Sequence, residues 1–278
     1  MHTFDAATAV RALGNGRYAA TLDPVWGVGE GLLNGGYLMA LGVRSALVDS
    51  GHPDPLAVSA TFLRPLPAGS ATVVVEPLRS GRTVSSSRVT VGADEESPSV
   101  DMQVTAATLT GGATWTDSVP PVIARPEDCL RGPMPGAGAT PPGLTEVLDY
   151  AFDPDTSGWL TGTPGRQPLL NLWLRFTDAR PIDPLGLVLL CDACPPVLFA
   201  LGRFGWAPTV AMQVLIRAVP APGWCQVEAR ARLIGGGFSD EEVAVWDSTG
   251  ALVAQSRQIA VPPRVAVPPR AAVPPAPR

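Results

Sequence analysis

One carboxylate stands in the most apolar stretch of the chain. Asp192 lies within residues 185–201, where nearly every other side chain is apolar. Burial among apolar groups raises the pKa of a carboxyl group, which suits it to take a proton near neutral pH. We therefore predict a functional role for Asp192. The alternative, that it only caps a helical segment beginning at Pro195, stays open on the pattern alone.

Two neutral polar residues further along the chain are weaker candidates for the same site. Gln258 alternates with Ala254 and Ser256 on a predicted strand, which places its amide on the inward face. Thr209 stands at the start of another predicted strand. Each alone would be an ordinary structural residue. They gain weight as site candidates only together with Asp192.

A pair of glycines opens a predicted helix. Gly35 and Gly36 precede residues 37–48, whose apolar side chains recur at helical spacing. The first N–H groups of a helix have no carbonyl partner within it, so they could bind an oxygen on which negative charge develops. The alternative is that the glycines only allow a tight turn and close packing. Asn34 is predicted as the helix N-cap or as a polar residue lining the site.

The side-chain inventory excludes several chemistries. The 278 residues include no lysine, so catalysis through a lysine Schiff base is impossible. Cys191 and Cys194 form a CxxC pair, but the two histidines, His2 and His52, show no ligand spacing, and we predict core thiols with no metal site and no cofactor. The net charge of −5 argues against a nucleic-acid partner.

The chain repeats one pattern twice. Arg64-Pro-Leu-Pro-Ala-x-Gly and Arg217-Ala-Val-Pro-Ala-Pro-Gly are each followed by alternating apolar runs. Each half is predicted as a strand, a helix and four strands. The predicted elements are 17–22, helix 37–48, 57–66, 70–78, 83–91 and 99–109, and then 169–176, helix 185–204 interrupted at a proline pair, 209–219, 224–233, 242–247 and 251–259. Such halves commonly place a site at their interface.

These patterns predict an organisation in four parts. We expect an N-terminal unit over residues 1–110, a Pro/Gly-rich linker over 111–145 and a C-terminal unit over 146–260. Residues 261–278 repeat Val-Pro-Pro and are expected to be a disordered, polyproline-II-like tail. No secretory signal or membrane span is visible, and the cysteines are expected to be reduced. We therefore expect a cytoplasmic protein without a membrane partner.

This arrangement resembles the double hotdog fold, an α+β architecture in which a long helix is wrapped by an antiparallel sheet in each of two tandem units. Over about residues 20–260 the chain resembles the acyl-CoA thioesterase II family and the broader thioesterase-like superfamily. The similarity is carried by Trp26-Gly-Val-Gly-Glu-Gly-Leu-Leu-Asn34-Gly35-Gly36-Tyr37, Thr61-Phe-Leu-Arg64-Pro65, Asp192-Ala-Cys-Pro-Pro, Pro208-Thr209, Trp246-Asp247-x-x-Gly250 and Val253-Ala254-Gln255-Ser256-Arg257-Gln258.

The resemblance implies a site and a reaction. In this family an aspartate, a threonine and a glutamine hold and activate the hydrolytic water, and Asp192, Thr209 and Gln258 match those positions. The implied reaction is hydrolysis of an acyl-CoA thioester to a free acid and CoA. Its acyl chain would lie between helix and sheet, and its carbonyl oxygen would lie near Gly35 and Gly36.

The resemblance also separates this reaction from others on the same fold. Hotdog hydratases and dehydratases resemble one another in using a histidine with a carboxylate, and neither His2 nor His52 is placed for that role. The helix over residues 37–48 carries no carboxylate before Asp49. We therefore expect one active site for the pair of units.

Alternatives remain at this stage. The substrate could be an acyl group on a carrier protein, in a secondary-metabolite pathway, rather than on CoA. The chain could also be a non-catalytic acyl-thioester-binding protein, since Ala211 and Gln213 depart from the more polar residues of the family. A phosphate contact could come from any of six arginines, Arg64, Arg79, Arg82, Arg88, Arg217 and Arg230. Dimerisation through open sheet edges is also plausible.

Overall fold

The computed structural model describes residues 1–111, 113–134 and 141–263. The strands are β1 Arg11–Gly14, β2 Arg17–Leu22, β3 Gly27–Gly29, β4 Leu32–Leu33, β5 Asp54–Phe62, β6 Gly69–Arg79, β7 Val84–Gly92, β8 Pro98–Ala107, β9 Leu148–Phe152, β10 Leu169–Phe176, β11 Thr209–Ile216, β12 Cys225–Arg230, β13 Ile234–Gly235, β14 Phe238–Trp246 and β15 Leu252–Ala260. The helices are α1 Thr3–Ala7, α2 Gly35–Ser50, α3 Leu144–Val147 and α4 Pro184–Leu190, with short 3₁₀ helices at Pro24–Trp26, Gly158–Thr161 and Val197–Leu201.

The strands of both halves join in one antiparallel sheet with an internal symmetry. From its centre the order runs β5-β8-β7-β6-β2 on one side and β11-β15-β14-β12-β10 on the other. The two halves meet where β5 pairs with β11, with Ala211 opposite Thr61. Because equivalent strands lie at equal distances from this seam, the predicted duplication and the double hotdog architecture are confirmed.

The central helix α2 lies across the sheet of the first half and beside α4. It begins at an N-cap, Asn34, whose side chain accepts a hydrogen bond from the Tyr37 N–H, and it ends at Gly51 in the left-handed conformation. Most of its side chains are buried because the sheet and α4 cover it on two sides. The N-terminus of α2 therefore lies in the interior, at the seam between the halves.

The second helix is shorter than predicted. We expected helical structure over residues 185–204 with a break at the proline pair, but α4 ends at Leu190 and the chain turns irregularly before a 3₁₀ helix begins at Val197. Pro195 and Pro196 lack N–H groups and cannot continue the helix. The turn is held by Tyr150, whose hydroxyl donates to the Ala193 carbonyl at 2.9 Å. As a result, Asp192 lies on this turn rather than within a helix.

The segment between the halves packs on the outer face of the second half. Trp173 Nε1 donates to the Ala124 carbonyl at 2.9 Å, and Gln226 Nε2 donates to the Pro121 carbonyl. Gln226 is therefore buried, although the alternation of β12 predicts a solvent-facing residue there. The short elements α1, β1, β9 and β13 were not predicted, because two to five residues carry too little periodicity.

The sequence predicts a disordered proline-rich tail and no membrane span. Residues 264–278 of the proline-rich tail lie outside the described residues. Within the described ranges, no helix is both long and apolar enough to cross a membrane.

Candidate active site

A pocket of about 350 Å³ opens where α2, the turn after α4 and strands β11, β14 and β15 converge. Its wall is mainly apolar, with Leu38, Phe62, Leu144, Leu198 and Phe199 among the lining side chains. Its polar side chains gather at one side, and they include Asn34, Asp192, Thr209, Glu241 and Gln258. Five of the six predicted site residues line this pocket, and the sixth, Gly36, contacts Asp192 from behind.

The Asp192 carboxylate is held by the start of α2. Its Oδ2 accepts hydrogen bonds from the Gly36 N–H at 2.7 Å and from Asn34 Nδ2 at 3.0 Å. Asn34 Oδ1 accepts from the Tyr37 N–H at 2.9 Å. Asn34 therefore serves in both of its predicted roles, as helix cap and as a polar group of the site. The carboxylate of the second half is fixed by the helix of the first, which makes the site composite.

Gly36 has a different role from the one that we predicted. Its N–H is bonded to the Asp192 carboxylate and is not free to bind a substrate oxygen. A Cβ atom at this position would lie 2.8 Å from Asp192 Cβ and 3.0 Å from the Leu189 carbonyl oxygen. Glycine is required here because the turn after α4 approaches the helix so closely. Gly35, the first residue of α2, has no intrahelical acceptor for its N–H and remains a candidate for that contact.

Burial raises the pKa of Asp192 to about 6. The hydrogen bonds from the Gly36 N–H and from Asn34 act in the opposite direction, because they favour the ionised form, but burial outweighs them. A carboxyl group with this pKa is ionised at neutral pH and still accepts a proton readily, which suits a general base.

The other two predicted residues are bonded to each other. Thr209 Oγ1 donates to Gln258 Oε1 at 2.9 Å, and Gln258 Nε2 donates to Glu241 Oε1 at 3.3 Å. The Gln258 amide therefore faces Thr209 with its oxygen and Glu241 with its NH₂ group. The inward orientation predicted for Gln258 is confirmed, since Ser256 and Ala260 on the same face are buried.

Glu241 is a site residue that sequence reasoning missed. It is buried on β14, and its Oε2 accepts from the Val197 N–H at 3.1 Å. Burial raises its pKa to about 7; the Val197 N–H opposes the shift and the Asp192 charge adds to it. A signal was present, because Glu241 alternates in phase with Val243 and Val245. The predicted strand began at 242, one residue too late to include it.

The cysteines take no part in this hydrogen-bond network. Cys191 is buried and Cys194 is half-buried at the pocket, and burial raises the pKa of both thiols well above the ordinary value. Protonated thiols are poor nucleophiles. Among the residues that the structure describes, no three His, Cys, Asp or Glu side chains are grouped to hold a metal ion.

Comparison with known proteins identifies the family on both halves. The acyl-CoA thioesterase N-terminal domain matches residues 22–111, and the acyl-CoA thioesterase C-terminal domain matches residues 126–261. An uncharacterized protein of Mycobacterium tuberculosis is 34% identical over 277 residues, covering 88% of this chain and 91% of the relative. The thioesterase-like protein TwmA of Talaromyces wortmannii is 24% identical over 318 residues, covering 93% of this chain and 91% of that protein.

A solved structure extends the match to the fold. The crystal structure of a predicted thioesterase II from Thermobifida fusca superposes with a TM-score of 0.85 at 34% identity, covering 95% of this chain and 98% of that one. The two domain matches and the superposition together cover both halves of the chain. The chain therefore belongs to the acyl-CoA thioesterase family, and it is a thioester hydrolase with a double hotdog fold.

Proposed function

We propose that this enzyme hydrolyses acyl-CoA thioesters to a free acid and CoA through a water molecule activated by Asp192. The observation that carries the proposal is a carboxylate with a pKa of about 6 at the polar side of an apolar pocket. Two N–H donors occupy Oδ2 of this carboxylate, which leaves Oδ1 to accept a proton from water. The apolar wall provides space for the acyl chain.

The network assigns the water two acceptors. The water donates one hydrogen to Asp192 Oδ1 and the other to Thr209 Oγ1, whose own proton is directed to Gln258 Oε1. The lone pair of the water then attacks the thioester carbonyl carbon while Asp192 takes its proton. The C–S bond breaks, and Asp192 returns the proton to the departing thiolate. The Gly35 N–H, at the positive end of α2, stabilises the charge on the carbonyl oxygen.

Arg64 is our candidate for the residue that contacts the phosphates of CoA. Of the six arginines considered from the sequence, Arg64 is the one that lines the pocket, and its side chain is exposed. Arg88 is bonded to Asp101, and Arg230 is paired with Glu228. We assign Arg64 to the phosphate groups on this basis. We place the reaction in the cytoplasm, an assignment that the four unpaired cysteines support.

Arg64→Ala is expected to raise KM for acyl-CoA substrates by about 5- to 30-fold, because a charge-assisted phosphate contact is worth about 1–2 kcal/mol. The effect on kcat should be small, since the phosphates lie far from the reacting bond. Arg217→Ala is the matched control: Arg217 occupies the equivalent place in the second copy of the repeat and does not line the pocket. Thiol release measured by Ellman's reagent gives both constants.

The acyl carrier alternative is decided by the same assay. Three thioesters of the same acyl group are compared: acyl-CoA, the acylated carrier protein and acyl-N-acetylcysteamine. The last of these has no phosphate. We expect the highest kcat/KM with acyl-CoA, and a loss with Arg64→Ala that disappears for the phosphate-free ester. A higher kcat/KM for the carrier-bound acyl group would contradict the assignment to CoA, and an equal loss on the phosphate-free ester would contradict the role of Arg64.

A further inference from the structure

Glu241 occupies a position that the proposed reaction does not use. Its side chain is 6% exposed and lines the pocket, and both of its carboxylate oxygens accept hydrogen bonds. Oε1 accepts from Gln258 Nε2 and Oε2 from the Val197 N–H. A buried carboxylate is costly unless it is fully hydrogen-bonded, so replacing it by an apolar residue would spare that cost if only stability mattered. Glu241 is the last member of the hydrogen-bonded series Thr209–Gln258–Glu241, which suggests that it orients the other two side chains.

The chain of bonds has a direction that only Glu241 defines. An amide can place either its oxygen or its NH₂ group toward Thr209, and the Thr209 hydroxyl can donate or accept accordingly. With a carboxylate at Glu241, the Gln258 NH₂ group must face it, so Oε1 faces Thr209 and the threonine must donate. Thr209 Oγ1 then presents lone pairs to the water. With the amide reversed, Thr209 would accept from Gln258 and present a hydrogen to the water instead.

We propose that Glu241 is a positioning residue that sets the Gln258 amide, and through it the Thr209 hydroxyl, in the orientation that accepts a hydrogen bond from the attacking water. The inference rests on the proposed function, because it concerns how that water is held. In this role Glu241 makes no contact with the reacting atoms. It acts through Gln258, and by binding the Val197 N–H it also anchors the segment that follows the Asp192 turn.

The ionised form of Glu241 is the one that fits this role. Two N–H donors converge on its two oxygens, which is the arrangement of an ionised carboxylate. The charged or titratable groups that influence it are Asp192 and Cys194 at the pocket and Asp240 beside it on β14. Asp240 is itself bonded to Arg257. Burial and the Asp192 charge raise the pKa of Glu241 to about 7, so activity should rise with pH as Glu241 ionises after Asp192.

Two substitutions separate the position of the Glu241 carboxylate from its charge. Glu241→Gln keeps the size of the side chain but places a donor against either Gln258 or Val197. Glu241→Asp keeps the charge but withdraws it by one methylene. We expect both to lower kcat for acyl-CoA by about 10- to 100-fold with KM changed less than about threefold, because misplacing a reacting group costs rate rather than affinity.

The pH profile distinguishes the two variants from each other and from a packing effect. In Glu241→Gln the acid limb of kcat should move to lower pH, since the group with the pKa of about 7 is gone and only Asp192, with a pKa of about 6, still titrates there. In Glu241→Asp the limb should stay near its wild-type position. A loss of packing alone would lower the melting temperature and leave both kcat and the limb unchanged. If the glutamine variant does not fold, kcat of the aspartate variant decides.

Glu242→Gln is the matched control. Glu242 is the next residue on β14, faces the other side of the sheet and is bonded to Arg232. We expect wild-type kcat for it. Wild-type kcat in both Glu241 variants, or an equal loss in Glu242→Gln, would overturn the inference. Wild type and Asp192→Asn are assayed alongside on the same acyl-CoA. An inactive wild type or an active Asp192→Asn overturns the proposed function, whereas the Glu241 variants alone behaving as wild type overturn only the positioning role.

Discussion

Asp192→Asn should lower kcat for acyl-CoA hydrolysis by about 10²- to 10⁴-fold, the range that a general base contributes. The amide oxygen can still accept hydrogen bonds from the Gly36 N–H and from Asn34, so the turn keeps its place beside α2. The amide nitrogen then faces the water and cannot take its proton. KM should change little, because the acyl chain and the phosphates contact other groups. Thiol release under saturating substrate measures the loss.

The same substitution should leave the protein at least as stable. The folded pKa of Asp192, about 6, lies above its ordinary value of 3.8. Between these two values Asp192 binds more protons in the folded state than in the unfolded state, so its contribution to the free energy of unfolding falls as pH rises from about 4 to 6. The asparagine variant carries no such penalty, and at pH 7 the gain has an upper bound of about 3 kcal/mol. Thermal melts at pH 4 and pH 7 should therefore show that the melting temperature of the variant exceeds that of the wild type by more at pH 7 than at pH 4.

A neighbouring aspartate supplies the control for that experiment. Asp183 caps α4, the short helix that precedes the Asp192 turn, and its Oδ1 accepts a hydrogen bond from the Gly186 N–H at 2.7 Å. It does not line the pocket. Asparagine is also a good N-cap, so Asp183→Asn removes a charge near Arg180 while keeping the cap. Its kcat should be that of the wild type. Near-normal turnover in Asp192→Asn, with a normal melt, would contradict the role of Asp192 as base.

The residues that the sequence revealed are those that contrast with their surroundings. Asp192 is a charge in an apolar run, and Gln258 is a polar residue in phase with the buried face of a strand. The repeat was visible because Arg64 and Arg217 begin similar Pro-Ala-Gly turns, and these follow β5 and β11, the two strands that meet at the seam. The local sequence pattern is enough to find these residues, because the periodicity of apolar side chains indicates whether each individual residue is buried.

The contacts between the halves could not be predicted in the same way. The bond from Gly36 to Asp192 joins residues 156 positions apart, and nothing near either residue indicates the other. The glycine pair predicts close approach or a free N–H equally well, and only the packing of α2 against α4 decides between them. Glu241 was missed because the predicted strand began at 242, and its partners, Gln258 and Val197, come from separate elements that a local pattern does not connect.

Gly36→Ala should lower kcat by about 10- to 100-fold, because the added methyl group pushes the base away from the water. The backbone of Gly36 has an ordinary helical conformation, so the cost arises from its neighbours. The new Cβ would lie 2.8 Å from Asp192 Cβ and 3.0 Å from the Leu189 carbonyl oxygen, and the latter is backbone that cannot turn aside. Separation of the turn from α2 would also lengthen the bond from the Gly36 N–H to Asp192. Steady-state kinetics and a thermal melt measure the two effects, with about 1–3 kcal/mol of destabilisation expected from overpacking.

Gly42→Ala offers a matched comparison on the same helix. A Cβ there would also lie 2.8 Å from its nearest neighbour, but that atom is the terminal methyl of Met102, whose flexible side chain can move away. Alanine also favours the helix by about 1 kcal/mol relative to glycine. Gly42→Ala should therefore keep kcat within about twofold of the wild type, since Gly42 lies about two turns of helix beyond Gly36 and the base. Equal losses of kcat in the two variants would show that α2 is sensitive to any added methyl group. They would contradict the inference that glycine at position 36 is needed to hold Asp192 in its position.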